Sequence, residues 1–261
     1  MSLDRRDFLV KSAFLFFGSL FGLNGLSKAF ASVEVKRDLF PRPCIALIID
    51  DIGFSRSRAK GFLDLGIPIT FSILPQLPKS YDLATEIHGE GQEVMLHQPM
   101  EPRDPCLDPG PGALYVKDRS EKIITIMDEN ISGLPFAVGV NNHMGSRFTE
   151  RQTKIREALV VIKDRGLFFI DSLTSDHSIA YRTARGLDLI AARRNLFLDN
   201  RPDESYILSQ LYHLRNHART HGYAIGIGHP FPETSRAIRH FLTGLKGSGI
   251  SWVHASTVLK A

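Results

Sequence analysis

Short apolar runs recur along this chain, separated by longer segments whose apolar positions follow a helical period. Five of the runs stop at an Asp or a His: CIALIIDD at Asp50 and Asp51, QEVMLH at His97, FAVGVNNH at His143, LFFID at Asp171 and YAIGIGH at His229. In a wound α/β protein the carboxyl ends of parallel strands converge on one face, so five polar strand ends are expected to line a single pocket.

Between the runs the pattern predicts helices over 55–65, 79–88, 120–132, 149–165 and 203–221, with Gly66, Gly89, Gly166 and Gly222 as stops. Residues 67–74 read as the second strand, 189–193 as a weaker one and 250–253 as the last. No Ser/Pro/Gly-rich linker divides 43–261, and no repeat appears beyond the α/β period itself. The expectation is therefore an α/β fold, a single distorted (β/α) barrel of seven or eight parallel strands. A doubly wound open sheet is the alternative for the same alternation. The longest non-repetitive stretch, 98–119, carries Pro99, Pro102, Pro105, Pro109 and Pro111 with Met100, Leu107, Leu114 and Tyr115 as apolar anchors. Following a strand that ends in His97, it reads as a stiff wall or lid on the polar face.

Residues 1–31 have a different build. Arg5 and Arg6 precede an apolar, glycine-broken stretch and the Ala29-Phe30-Ala31 cleavage pattern, which places a mature N-terminus at Ser32. The stretch is short for a membrane span, so no stable span is expected once it is removed; an uncleaved anchor is the competing reading. The surroundings of the arginine pair resemble a twin-arginine export signal, which implies a periplasmic or otherwise exported protein. Residues 32–42 read as a linker. Arg5, Arg6, Lys11 and Lys28 against Asp4 and Asp7 account for half of the formal net charge of +4, and no block of like charge remains in the rest. That composition gives no electrostatic footprint for nucleic acid. Cys44 and Cys106 are too few for a structural thiolate zinc site, and they read as inert thiols.

The chemistry lies in the strand ends. Asp50 and Asp51 are adjacent, so their side chains leave in different directions: one can bind a cation while the other receives a proton, or one can cap the turn before Gly53. His97 and His143 have the ligand chemistry of a divalent transition metal, and with Asp51 they make an Asp-His-His set that leaves positions for water and substrate. Glu101 offers either a further ligand or a loop salt bridge. His229, between Gly228 and Pro230, can donate a proton to a leaving group or stabilise an oxyanion. Asp171 is expected to orient His229 or Asp50, and Arg193 and Asp199 are either supports of the same kind or an ion pair.

The strings LIIDDIG (47–53), HQPMEP (97–102), DPGPGAL (108–114), NNHMGSRFT (141–149), IDS (170–172) and GIGHP (226–230) resemble the divergent polysaccharide deacetylase family, a relative of carbohydrate esterases that deacetylate chitin-like and peptidoglycan sugars. The resemblance covers about 43 to 258. It implies a distorted (β/α) barrel, a site for a divalent metal of the zinc type, a polysaccharide or peptidoglycan-like substrate and a cell-envelope location. It also divides the acidic pair, with Asp50 as base and Asp51 as metal ligand, and matches His229 to the family's late histidine. Two departures stand out. The second histidine of the relatives' His-x-x-x-His motif is replaced by Glu101, with His143 as the substitute ligand, and their arginine-proline motif on the fourth strand gives way to Asn-Asn-His-Met-Gly-Ser. The expected function is an exported metal-dependent hydrolase that N-deacetylates an acetylated amino-sugar polymer, with Asp50, His229 and Asp171 in catalysis. The alternative is a catalytically inactive barrel that binds a glycan or an envelope protein partner.

Overall fold

The computed structural model describes residues 42–244 and 249–259. The export signal expected over 1–31, and the linker up to residue 41, lie outside the described residues. Strands β1 (Cys44–Ile52), β2 (Thr70–Ile73), β3 (Glu93–Met100), β4 (Ala137–Met144), β5 (Phe168–Asp171), β6 (Ala191–Arg193), β7 (Leu196–Phe197), β8 (Tyr223–Gly228) and β9 (Ser251–Val253) form one sheet. Helices α1 (Arg56–Leu63), α2 (Ser80–Gly89), α3 (Ser120–Ser132), α4 (Gln152–Asp164), α5 (Ala180–Gly186), α6 (Glu204–His221), α7 (Pro232–Gly244) and α8 (Ala255–Leu259) lie between and after them. Their starts follow local chemistry. Ser55 accepts the Arg58 N–H at the head of α1, and Asp203 accepts the Tyr206 N–H at the head of α6. Among the described residues no helix is long and apolar enough to cross a membrane.

All strand pairings are parallel, in the order β6-β5-β4-β3-β2-β1-β8-β7. The two edge strands β6 and β7 are separated only by Arg194 and Asn195. The Arg194 N–H donates to the Asp171 carbonyl on β5 at 3.0 Å, and the Asn195 N–H to the Ile225 carbonyl on β8 at 2.9 Å. Residues 191–197 therefore act as one strand that serves β5 with its first half and β8 with its second, curling the sheet into a distorted barrel. The open doubly wound alternative does not form. The predicted last strand, β9, is not a further stave: it pairs with Cys44–Ala46 of β1, below the part that β2 reaches.

Alternation along the strands sorts two cores. Ile45, Leu47 and Ile49 of β1, Val94 and Leu96 of β3, Val140 of β4, Phe169 of β5 and Ala224 of β8 join the large cluster shared with the helices. Their neighbours Ala46, Ile48, Met95, Ile170, Ile225 and Ile227 form the smaller cluster inside the barrel. With a period of two, the next inward positions at the carboxyl ends are Asp50, His97, Asn141, His143 and His229. Asp171 has the opposite parity and faces the helices.

The 98–119 stretch is a built wall. Buried Gln98 donates to the Gly112 carbonyl at 2.9 Å, and buried Asn130 of α3 donates to both Gln98 Oε1 and the Gly112 carbonyl at 2.8 Å. Gly112 has φ +70, and a Cβ there would lie 2.5 Å from Asn130 Oδ1, so the turn requires glycine twice over. Cys44 is buried and Cys106 exposed, both as free thiols.

Candidate metal centre and its clefts

Parity alone would send Asp51 outward, away from Asp50. Instead the β1–β2 register breaks between Ile49 and Ile52, and Asp51 adopts φ 55, a left-handed conformation that Asp tolerates better than most residues. The twist brings Asp51 Oδ1 to 3.2 Å from His97 Nε2 and 3.0 Å from His143 Nδ1. The two ring nitrogens are themselves 3.1 Å apart. Asp51 Oδ1 is buried and makes no hydrogen bond despite this proximity. Three donor atoms thus converge on a common point. In a triangle of that size the centre is about 1.8 Å from each corner, close to the ~2.0–2.1 Å of zinc–nitrogen and zinc–oxygen bonds. The donor set fits a divalent cation.

Asn141 prepares the set. Its Oδ1 accepts from Ser72 Oγ at 2.5 Å and from His97 Nδ1 at 2.7 Å, and its Nδ2 donates to Asp50 Oδ1 at 2.8 Å. Because the Nδ1 proton of His97 is spent on Asn141, Nε2 presents a lone pair to the centre. Asn142 holds the turn that aims His143: its Nδ2 donates to the Met144 carbonyl and its Oδ1 accepts the Ser172 N–H. Asn141→Ala leaves Asp50, Ser72 and His97 each short of a partner inside the barrel. We expect metal affinity to fall by about 10- to 100-fold with the fold retained, measured by competition with a chromophoric chelator. Unchanged affinity would show that the His97 ring is held by packing alone.

The carboxylates are pushed apart. Asp50 is 2% exposed, and burial raises its pKa, offset only in part by His97, His229 and the Asn141 amide. For Asp51 burial acts in the same direction, but the two imidazoles beside it outweigh burial and hold it well below the usual carboxylate range. One is poised to exchange a proton and the other stays ionised as a ligand. The free oxygen of Asp50, Oδ2, lies 3.6 Å from His97 Nε2, beside the donor triangle. His97 would lose its proton to burial, yet the field of Asp50 and Asp51 raises its pKa; the same field favours a dication.

His229 is carried by the turn after β8. Burial lowers its pKa, but the bond and charge of Asp199, with Asp50 and Asp51 beyond, push it up to about 9. Asp199 Oδ1 lies 2.8 Å from His229 Nδ1, while Asp199 Oδ2 accepts the His229 N–H at 2.6 Å and Thr234 Oγ1 at 2.7 Å. The ring is flanked by Phe197, at 5.9 Å between centroids, and Phe231, at 5.8 Å.

Four of the six strand-end groups share a mouth. A cleft of about 280 Å³ is lined by Asp50, His97, His143 and His229 together with Pro102 and Leu107 of the wall and Phe197. Asp51 opens onto an adjoining groove. Asp171 does not orient His229 or Asp50: its carboxylate accepts Ser178 Oγ and the Tyr181 and Leu173 N–H groups, pinning the start of α5 on the helix side. Its role passes to Asp199 and Asn141. Glu101 accepts the Val116 N–H and pairs with Arg147, so it is a fastener of the wall. Arg193 lies over the Tyr181 ring and is no partner of Asp199. The Ser172 hydroxyl, buried at the edge of the cleft, has no hydrogen-bond partner. Two asparagines inside a buried strand were a legible sign of Asn141 and Asn142, since polar groups there must be satisfied.

The sequence model of the divergent polysaccharide deacetylase family matches residues 47–259. The uncharacterized protein YibQ of Escherichia coli is 32% identical over 217 residues, which is 82% of this chain and 67% of that protein. The crystal structure of an uncharacterized protein of Agrobacterium tumefaciens superposes with a TM-score of 0.79 at 26% identity, covering 83% of this chain and 89% of that one. The catalytic domain of a peptidoglycan N-acetylglucosamine deacetylase from Eubacterium rectale shares the fold, with a TM-score of 0.50 at 13% identity over 82% of this chain and 90% of that one.

Proposed function

Since this chain belongs to the divergent polysaccharide deacetylase family, we propose that it is an exported, zinc-dependent hydrolase that removes acetyl groups from an amino-sugar polymer of the cell envelope. The observation that carries this reading is the pairing of a three-donor metal triangle with two proton-exchanging groups, Asp50 and His229, on one cleft.

Asp51, His97 and His143 would hold the cation. When bound, a divalent cation supplies Lewis acidity that polarises the acyl carbonyl and lowers the pKa of water. Asp50 Oδ2, left free by Asn141 and set beside the triangle, accepts the proton of the attacking water as its oxygen bonds to the acyl carbon. His229 delivers a proton from Nε2 to the departing nitrogen as the C–N bond breaks, because Asp199 occupies Nδ1 and fixes the ring. The products are acetate and a free amine. The apolar side of the cleft, formed by Pro102, Leu107 and Phe197, suits the small acyl group. Export rests on the residues before Ser32, and the glycan substrate on the family.

A barrel kept only for glycan binding has no use for a buried base and an elevated histidine, so catalysis is the better reading. One preparation tests it. Protein recovered from the exported fraction without chelators should begin at Ser32, carry close to stoichiometric zinc and release acetate from peptidoglycan or chitin oligomers, with activity lost on metal removal. Zinc-loaded protein that releases no acetate from any member of a broad glycan panel would leave the binding-only barrel standing.

A further inference from the structure

Next to the cleft that His229 lines, a second groove of about 170 Å³ opens beside the metal ligand Asp51. Phe54 and Phe231 line it together with Arg58. Phe54 is 62% exposed, an unusual cost for a phenylalanine placed on a turn that glycine fixes: Gly53 has φ +138, and a Cβ there would meet Leu77 at 2.9 Å. Arg58 is the uncommitted cation of α1. Arg56 pairs with Glu86 and Lys60 with Asp64, whereas the Arg58 guanidinium has no hydrogen bond or ion pair among the described residues. His229 and Phe197 line the first hollow and Phe231 lines this one, and the His229 ring contacts both phenyl rings, so the two hollows adjoin at the proton donor. A polymer whose acylated sugar occupies the first would lay a neighbouring sugar in the second.

We propose that this groove is a subsite for an acidic sugar residue next to the acylated one, with its ring against Phe54 and Phe231 and its carboxylate on Arg58. Aromatic faces take the apolar face of a pyranose, and a guanidinium fork matches a carboxylate in plane. A neutral homopolymer would leave Arg58 idle. The inference rests on the glycan-hydrolase reading above. The carboxylate has two possible sources, a lactyl ether of the peptidoglycan type or a hexuronate.

The test measures binding to the full metal-loaded protein by titration calorimetry. The probes are acetylated tetrasaccharides bearing lactyl or hexuronate carboxylates, each beside its carboxyl-reduced form, with neutral chitotetraose as reference. At least one carboxylated oligomer should bind roughly fivefold more tightly than its reduced form, with the gap narrowing at high salt. Arg58→Met should collapse that gap, and Phe54→Ala should weaken both members of the pair. The oligomer that shows the gap identifies the source. No gap in the wild-type protein for either pair, or a gap that survives Arg58→Met, overturns the subsite. Acetate release is read separately. An Arg58-dependent gap without acetate release upholds the subsite and sinks the hydrolase, while acetate release without the gap sinks the subsite alone.

Discussion

Asp50→Asn should lower turnover by about 10²-fold or more while leaving bound zinc in place, and Asp51→Asn should do the reverse first, shedding the metal. The two residues differ by one position and by their surroundings. Asp50 is sealed in the barrel mouth with one oxygen bonded to Asn141, so its amide analogue keeps the shape and loses only the proton acceptor. Asp51 contributes the oxygen on which both imidazoles converge, and an amide there replaces an ionised donor by a neutral one. Metal content by atomic absorption and turnover by acetate release, measured on the same samples, separate the roles. If Asp50→Asn loses zinc while Asp51→Asn keeps it, the assignments are exchanged.

His229→Ala should cost about 10² to 10⁴ in rate and remove the high-pH limb of the profile. The sign follows from the raised pKa. Held near 9 by Asp199 and the two further carboxylates, the imidazolium is populated at neutral pH and lost as pH rises through that value, so the rate falls on the alkaline side. A dication at Asp51 offsets part of that carboxylate field, which places the limb at or below about 9. Asp199→Asn should move the limb further down, because it removes the charge that favours the proton. An alkaline limb that persists unchanged in His229→Ala, with the protein still folded by circular dichroism, would assign the acid to another group.

The barrel was legible because its long staves are buried on both faces and read as apolar runs that stop at chemistry. What escaped was the part whose meaning depends on neighbours in space. The two residues of β7 carry too little pattern to announce a strand, yet they place Leu198 against Ile227 and so bring Asp199 to His229. Asp171 and Asp199 look alike in sequence, and parity separates them: Asp171 follows Ile170, an inward residue, whereas Asp199 follows Leu198, which packs outward. The helices α5, α7 and α8 lie outside the predicted set, α5 and α8 because they are short and α7 because Pro232 at its head reads as a break rather than as a first-turn residue. Asp51 is the instructive residue, since simple alternation puts it outside and only the left-handed turn returns it to the mouth.

The strand at 191–197 has a kinetic meaning. During synthesis β1 is the first strand to emerge, but its partners β8 and β9 come from the last quarter of the chain, and the growing sheet has two bare edges until β8 arrives to bridge β1 to residues 191–197. Contacts of such long sequence separation fold slowly, and exposed edges recruit other chains. Because Asp51 rides on β1 and His229 follows β8, the reactive mouth exists only after nearly the whole polypeptide has left the ribosome. A chain cut before β8 would present neither a proton donor nor a sealed sheet, and aggregation would be its natural fate.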